Sequence, residues 1–154
     1  MDISDLLSAD SIILRGGASS KRQALQAVAE AASTALGLDE AQALEALLER
    51  EALGSTGLGA GVAVPHARVQ GLDRVMAVFV RLDTPVAYES LDDRPVDLLF
   101  ALFAPLNAGA EHLRALAAVS RAMRSPELRE QLRQARTVDA VSALFVRDMA
   151  ASAA

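Results

Sequence analysis

A chain of 154 residues in which 52% of side chains are apolar and 23% charged can bury one core and is too apolar to stay disordered. The net charge of −5 and pI near 5.0 argue against a nucleic-acid binder, which needs clustered Lys and Arg. The absence of cysteine excludes disulfides, thiolate catalysis and Cys-ligated zinc.

The longest apolar run, 98–105, is far below the roughly 20 residues that cross a bilayer, and the start MDISDLL lacks the basic segment of a secretory signal. The expectation is one domain over 1–154, cytoplasmic, with no nucleic acid and no direct membrane insertion. SIILR at 11–15 reads as a strand. A helix follows with Leu25, Val28, Ala32 and Leu36 on one stripe, and Ser20 and Gln23 have capping-box spacing at its start. A second helix begins near Asp39, buries Leu44, Leu47 and Leu48, and must stop before Gly54, which puts Arg50 and Glu51 in its last turn.

A glycine-rich loop at 54–61 leads to a strand stub, Val62–Val64, and then to Pro65 and His66. The runs VMAVFVRL at 75–82 and VDLLFALFAP at 96–105 suit strands buried on both faces of a sheet, with turn and edge signals between them. From about Ala110 the period is helical: Leu113, Leu116, Ala117 and Met123 form one stripe, Ser125-Pro126 starts another helix carrying Leu128 and Leu132, and Thr137 caps a last one. The tail ASAA is expected to fray. The fold class is therefore α/β, a single domain with a mixed β-sheet flanked by helices.

The loop poses the functional question. Glycines at 54, 57, 59 and 61 permit positive φ and leave backbone N–H groups unobstructed, the usual makings of an anion-binding concavity. Ser55 and Thr56 add hydroxyls, and Arg50 offers a planar fork of charged donors suited to phosphate. Neither a P-loop nor a dinucleotide fingerprint is present, because the Gly-Lys-Ser/Thr and the strand-loop-helix context are both missing. Taken alone, the glycines read as a turn and His66 as a structural histidine. A neutral imidazole is nonetheless a nucleophile near pH 7 when an acceptor holds its other nitrogen's proton. His112 is either its partner, donating to a transferred phosphoryl group, or a solvated residue of a helix's first turn. Two histidines this far apart with no HxH or HExxH spacing make a poor metal site. Asp92-Asp93 and Glu127/Glu130 read as solvated surface charge.

RE at 50–51, GST at 54–56, GLGAGVAVPHAR at 57–68, VDLLFALFAP at 96–105 and HLRALAAVSRAM at 112–123, in that order, resemble the fructose/mannitol-type enzyme IIA domains of the bacterial phosphoenolpyruvate-dependent phosphotransferase system. The resemblance covers roughly 5–145 and is strongest to the nitrogen-regulatory branch. It implies a mixed sheet with helices on both faces, no cofactor, and a phosphoryl group received from the phosphocarrier HPr or its nitrogen-branch counterpart NPr; the histidine spacing gives the expectation of no metal. On this resemblance His66 is the phosphohistidine, attacking through its tele nitrogen, Arg50 and His112 line the site, and Ser55, Thr56 and Gly57 support the phosphate. Glu51 matches the motif without a role assigned to it. Two positions depart from the family's pattern: Ala60 stands where a polar residue is usual, with one hydrogen bond expected to be weaker, and Leu58 replaces Ile at nearly equal volume.

The resemblance leaves more than one use open. As a regulator, the phosphorylated and free forms bind different proteins, such as potassium transporters or sensor kinases. As a sugar-uptake component, the domain passes phosphate to a IIB domain; the lack of IIB or permease segments favours regulation. A third reading is an anion-binding module without phosphotransfer.

Overall fold

The computed structural model describes residues 2–153, with side chains as far as 146. Two short 3-10 turns, Ile3–Leu6 and Ala9–Ser11, precede β1 (Ile12–Gly16), α1 (Lys21–Leu36) and α2 (Glu40–Ala52). Then come β2 (Gly57–Gly59), β3 (Val62–Ala63), β4 (His66–Val69), β5 (Met76–Val86) and β6 (Val96–Pro105). The chain finishes with α3 (Ala110–Met123), α4 (Pro126–Gln134) and α5 (Val138–Ala153).

The helix starts follow from local chemistry. Asp39, Ser125 and Thr137 each accept a hydrogen bond from a backbone N–H three residues on, supplying one of the donors a helix end leaves unpaired. Ser20 does the same for Gln23, but the Gln23 side chain reaches back to the Ser19 N–H rather than closing the expected box on Ser20. Gly37 at φ 73 ends α1 in the left-handed conformation common after helices.

The strands form one mixed sheet in the order β1-β5-β6-β3-β2, with β4 also on β6. β1 runs parallel to β5, β5 and β6 are antiparallel, and β3 and β4 both run parallel to β6. Side chains of β6 alternate between two cores: Leu99, Ala101 and Phe103 pack under α1 and α2, while Leu98, Phe100, Leu102 and Ala104 pack under α3, α4 and α5. Coverage on both faces is why VDLLFALFAP reads as a continuous apolar run. In the second core Phe79, Phe100 and Phe145 meet edge to face with centroids 5.3–6.3 Å apart, the geometry favoured by ring quadrupoles.

Several expectations need correction. β5 extends to Val86, so Thr84 and Pro85 are strand rather than turn. In α2 the buried pair is Ala43 and Leu47, with Leu44 and Leu48 only partly covered. In α3 the buried stripe is His112, Ala115, Val119, Ala122 and Met123, rotated from the predicted one; Leu113 is 66% exposed. α5 continues helical to Ala153, past the start of the expected fraying, and Ala154 lies outside the described residues.

The glycine-rich segment is a hairpin and not an open loop. β2 and β3 pair antiparallel through a two-residue turn, Ala60-Gly61, at φ 56 and 83, as a type I′ connection requires. At Gly57 the constraint is space: a Cβ there would overlap the Ser90 hydroxyl and lie 3.2 Å from the Ser90 Cα.

Candidate functional site

β3 and β4 are one strand with a break in it. Val62 pairs with Leu98 and His66 with Leu102, so the register along β6 is unchanged across Val64-Pro65. Proline brings no N–H to a ladder, and a break at such a residue is its ordinary place in a sheet. His66 is the first residue past the break. Ala67 and Val69 belong to the core under α1 and α2, so the alternation of a strand turns His66 and Arg68 to the opposite face, where α3 lies. α2 delivers Arg50 from its last turn, and α3 delivers His112 from its first.

Two hydrogen bonds fix the protonation of His66. Nδ1 lies 3.0 Å from the Val64 carbonyl, which can only accept, so Nδ1 carries the proton. Nε2 lies 3.2 Å from Arg50 Nε, which can only donate, so Nε2 presents its lone pair. Arg50 is itself held by an Nη1 bond of 2.9 Å to the Gly54 carbonyl. Burial holds His66 below its ordinary value of 6.5, with Arg50 adding to the effect against the Val64 hydrogen bond and Glu51. The ring is therefore neutral near pH 7, with the tele nitrogen available as a nucleophile.

His112 stands edge-on to His66, with ring centroids 5.6 Å apart and planes at 84°. It is 5% exposed, and among the described residues neither of its ring nitrogens has a hydrogen-bond partner. This rules out the solvated first-turn alternative. An imidazole must donate from one nitrogen or the other, and leaving that donor unmet in a buried place costs about 1–3 kcal/mol. Burial, then the charges of His66 and Arg68, push its proton affinity down.

Arg50, His66, Arg68 and His112 line one open cleft of about 540 Å³, rimmed by Leu53 and Leu113. The structure thus gathers three of the sequence-derived candidates in one place and adds Arg68. It does not bring the other three there. Ser55 Oγ donates to the Tyr88 carbonyl and accepts from the Gly57 N–H. Thr56 is 6% exposed, its N–H and hydroxyl both given to Glu51. The Gly54 N–H goes to the Glu51 carbonyl and that of Ala60 to Asp92 Oδ2. The expected anion cradle is largely closed from within, because the Ser55 and Thr56 hydroxyls and the N–H groups of Gly54, Thr56, Gly57 and Ala60 are already bonded to the protein.

Glu51, unassigned by the sequence, is the centre of that arrangement. Its carboxylate accepts from Thr56, accepts from the Tyr88 hydroxyl at 3.1 Å, and pairs with Lys21 at 2.7 Å, where its side chain is 6% exposed. Lys21 Nζ also lies 4.7 Å over the Tyr88 ring, a cation–π contact. Burial and the Glu51 charge push the Tyr88 hydroxyl far up, so it remains a donor. Sequence reasoning missed Lys21 and Tyr88, although a signal existed: they are the chain's single lysine and single tyrosine. Ala60 loses no backbone hydrogen bond, since its carbonyl accepts from Arg133 and its N–H is taken by Asp92. Asp92 is thereby a turn-capping residue rather than merely solvated charge. Among the described residues no three metal-binding side chains come together, and no helix is long and apolar enough to cross a membrane.

Comparison with known proteins agrees with this geometry. The family model for phosphoenolpyruvate-dependent sugar phosphotransferase system EIIA 2 proteins matches residues 5–147. A nitrogen regulatory protein of Bradyrhizobium diazoefficiens is 40% identical over 153 residues, covering 99% of this chain and 100% of that protein. The crystal structure of nitrogen regulatory protein IIA-Ntr from Neisseria meningitidis is similar at TM-score 0.86 and 34% identity, over 93% of this chain and 98% of that one. The crystal structure of IIA mannitol from Escherichia coli is similar at TM-score 0.75 and 27% identity, over 90% and 98%.

Proposed function

Since the chain belongs to the EIIA 2 family of the phosphoenolpyruvate-dependent phosphotransferase system, we propose that it carries a phosphoryl group on Nε2 of His66 and acts as a nitrogen-type regulator in the cytoplasm. The observation behind this reading is a histidine whose proton is pinned on Nδ1 and whose Nε2 lone pair meets the Arg50 guanidinium, with the His112 ring centroid 5.6 Å from its own.

The transfer balances without an outside acid or base. The His66 Nε2 lone pair forms the new N–P bond as the N–P bond to the carrier's histidine breaks, and that bond's electron pair stays on the carrier's imidazole. The proton on Nδ1 remains against the Val64 carbonyl throughout. At rest the Arg50 Nε–H occupies the attacking lone pair, so Arg50 must move its N–H to the phosphoryl oxygens as the bond forms. His112 supplies a second donor: a phosphoryl oxygen would satisfy its idle nitrogen, and the arriving negative charge would favour its protonated form. Ser55, Thr56 and Gly57 act one step removed, by shaping the hairpin beside Arg50.

The carrier is HPr or NPr. Phosphorylation adds about two negative charges to the cleft, enough to change which proteins dock on it. Potassium transporters and sensor kinases are the kinds of regulated partner to test. The likeness to the mannitol IIA domain favours one second reading, delivery of the phosphate to a IIB domain.

Incubation with phosphoenolpyruvate, enzyme I and carrier should place acid-labile phosphate on Nε2 of His66. Label retained by His66→Ala would refute the assignment. Pull-downs with His66→Ala and His66→Asp should recover different partners, and identical sets would argue against a switch. Rapid loss of label to a IIB domain would favour the sugar reading.

A further inference from the structure

The closed hairpin leaves a shortage of positive charge. A phosphoryl group on His66 presents three oxygens and about two negative charges, and in a loose transition state that charge spreads over all three. Arg50 offers one cation, still tied by Nη1 to Gly54, and His112 is held toward its neutral form. The Ser55 and Thr56 hydroxyls and the N–H groups of Gly54, Thr56 and Gly57, the obvious remaining donors, are bonded elsewhere.

We propose that Arg68 is the second guanidinium of this site and binds the phosphoryl group carried on His66, an inference that rests on His66 being the acceptor. Arg68 lies two residues along β4 from His66, on the same face of the strand and in the same cleft. Two residues of extended chain span about 6.6 Å, within the reach of an arginine side chain. Its backbone is fixed by pairing with Ala104 on β6, while its side chain is exposed. Among the described residues it forms no side-chain hydrogen bond or ion pair. By contrast Arg81 binds carbonyls of Leu14, Leu132 and Ala135, and Arg133 binds Asp97. Its charge already reaches the site, since it contributes to lowering the proton affinity of His112. With Arg50 it would neutralise a dianion from two sides. A planar fork can bridge two phosphoryl oxygens where an ammonium meets them as a point charge.

The test compares wild type, Arg68→Gln and Arg68→Lys, each phosphorylated through enzyme I and carrier and then freed of both. The 31P signal of the isolated phosphoprotein is titrated against pH. Removing a neighbouring positive charge should move the phosphoryl titration of Arg68→Gln upward by about 0.5 unit, with Arg68→Lys between it and wild type. The rate of transfer from the carrier should fall about tenfold in Arg68→Gln, with partial recovery in Arg68→Lys. A 31P titration identical in all three proteins overturns the proposal. If in that case transfer from the carrier is still slower, Arg68 reads the carrier and not the phosphate. A wild-type protein that takes no phosphate on His66 defeats the acceptor reading itself, and this inference with it. The Arg68 side chain is exposed, so its replacement leaves the core intact.

Discussion

Two buried polar groups, Glu51 and His112, neighbour His66, and they are built on opposite terms. Around Glu51, Lys21, Thr56 and Tyr88 hold the carboxylate by charge and by donated hydrogen bonds. Around His112, no group among the described residues meets either ring nitrogen. A buried network with its bonds made is rigid, and it fixes the hairpin whose Gly54 carbonyl holds Arg50. A buried imidazole with no partner stores a cost that an incoming group can relieve. The first is the frame of the site and the second is its waiting place, a distinction that burial alone does not draw.

The sharpest break comes from Glu51→Ala, which strands Lys21, the Tyr88 hydroxyl and the Thr56 N–H. It should cost about 3–5 kcal/mol and lower the melting temperature by on the order of 10 °C. A change of under 2 °C in calorimetry would show that the network is incidental. His112→Leu should do the reverse: an apolar side chain leaves no orphan, so the melting temperature holds or rises, while the rate of phosphorylation falls about 10²-fold. A destabilised His112→Leu protein that still accepts phosphate normally would erase the contrast.

The smallest effect is on pH. Both histidines have folded values below 6.5, set first by burial, whereas the unfolded chain protonates at the ordinary value. The unfolded state therefore binds more protons between the two values, so this stability is present above about 6.5 and lost as pH falls through the folded values. Urea midpoints should decline below pH 6.5, and His112→Leu should decline less steeply. Parallel curves would remove His112 from the account.

Much of this was legible because it is local. Asp39, Ser125 and Thr137 announce helix starts within three residues, and β6 announces burial on both faces by its unbroken apolar run. Arg50, His66 and His112 came from motif order, and the structure draws them together. The hairpin was misread because its donors are taken by groups distant in sequence: Ser55 by Tyr88 and Ala60 by Asp92. A glycine that permits an anion nest equally permits a close approach, and at Gly57 the neighbour is Ser90. The α3 stripe was misread because Leu113 serves the cleft rim and His112 takes the buried place, the reverse of what hydropathy favours. Arg68 went unnoticed as a neighbour of His66 until strand alternation put both on one face.

The unbroken register of β3 and β4 along β6 also governs the order in which the protein becomes competent during synthesis. The strand bearing His66 leaves the ribosome before the strand it must lie against, and β5 has to emerge and turn back first. Such non-local parallel pairing is slow to form. His112 emerges later still, at the start of α3. A nascent chain that ends at 109 contains His66 and Arg50 and lacks the second imidazole, so on the proposed mechanism its phosphorylation would be slowed about 10²-fold, as in His112→Leu, until α3 emerges.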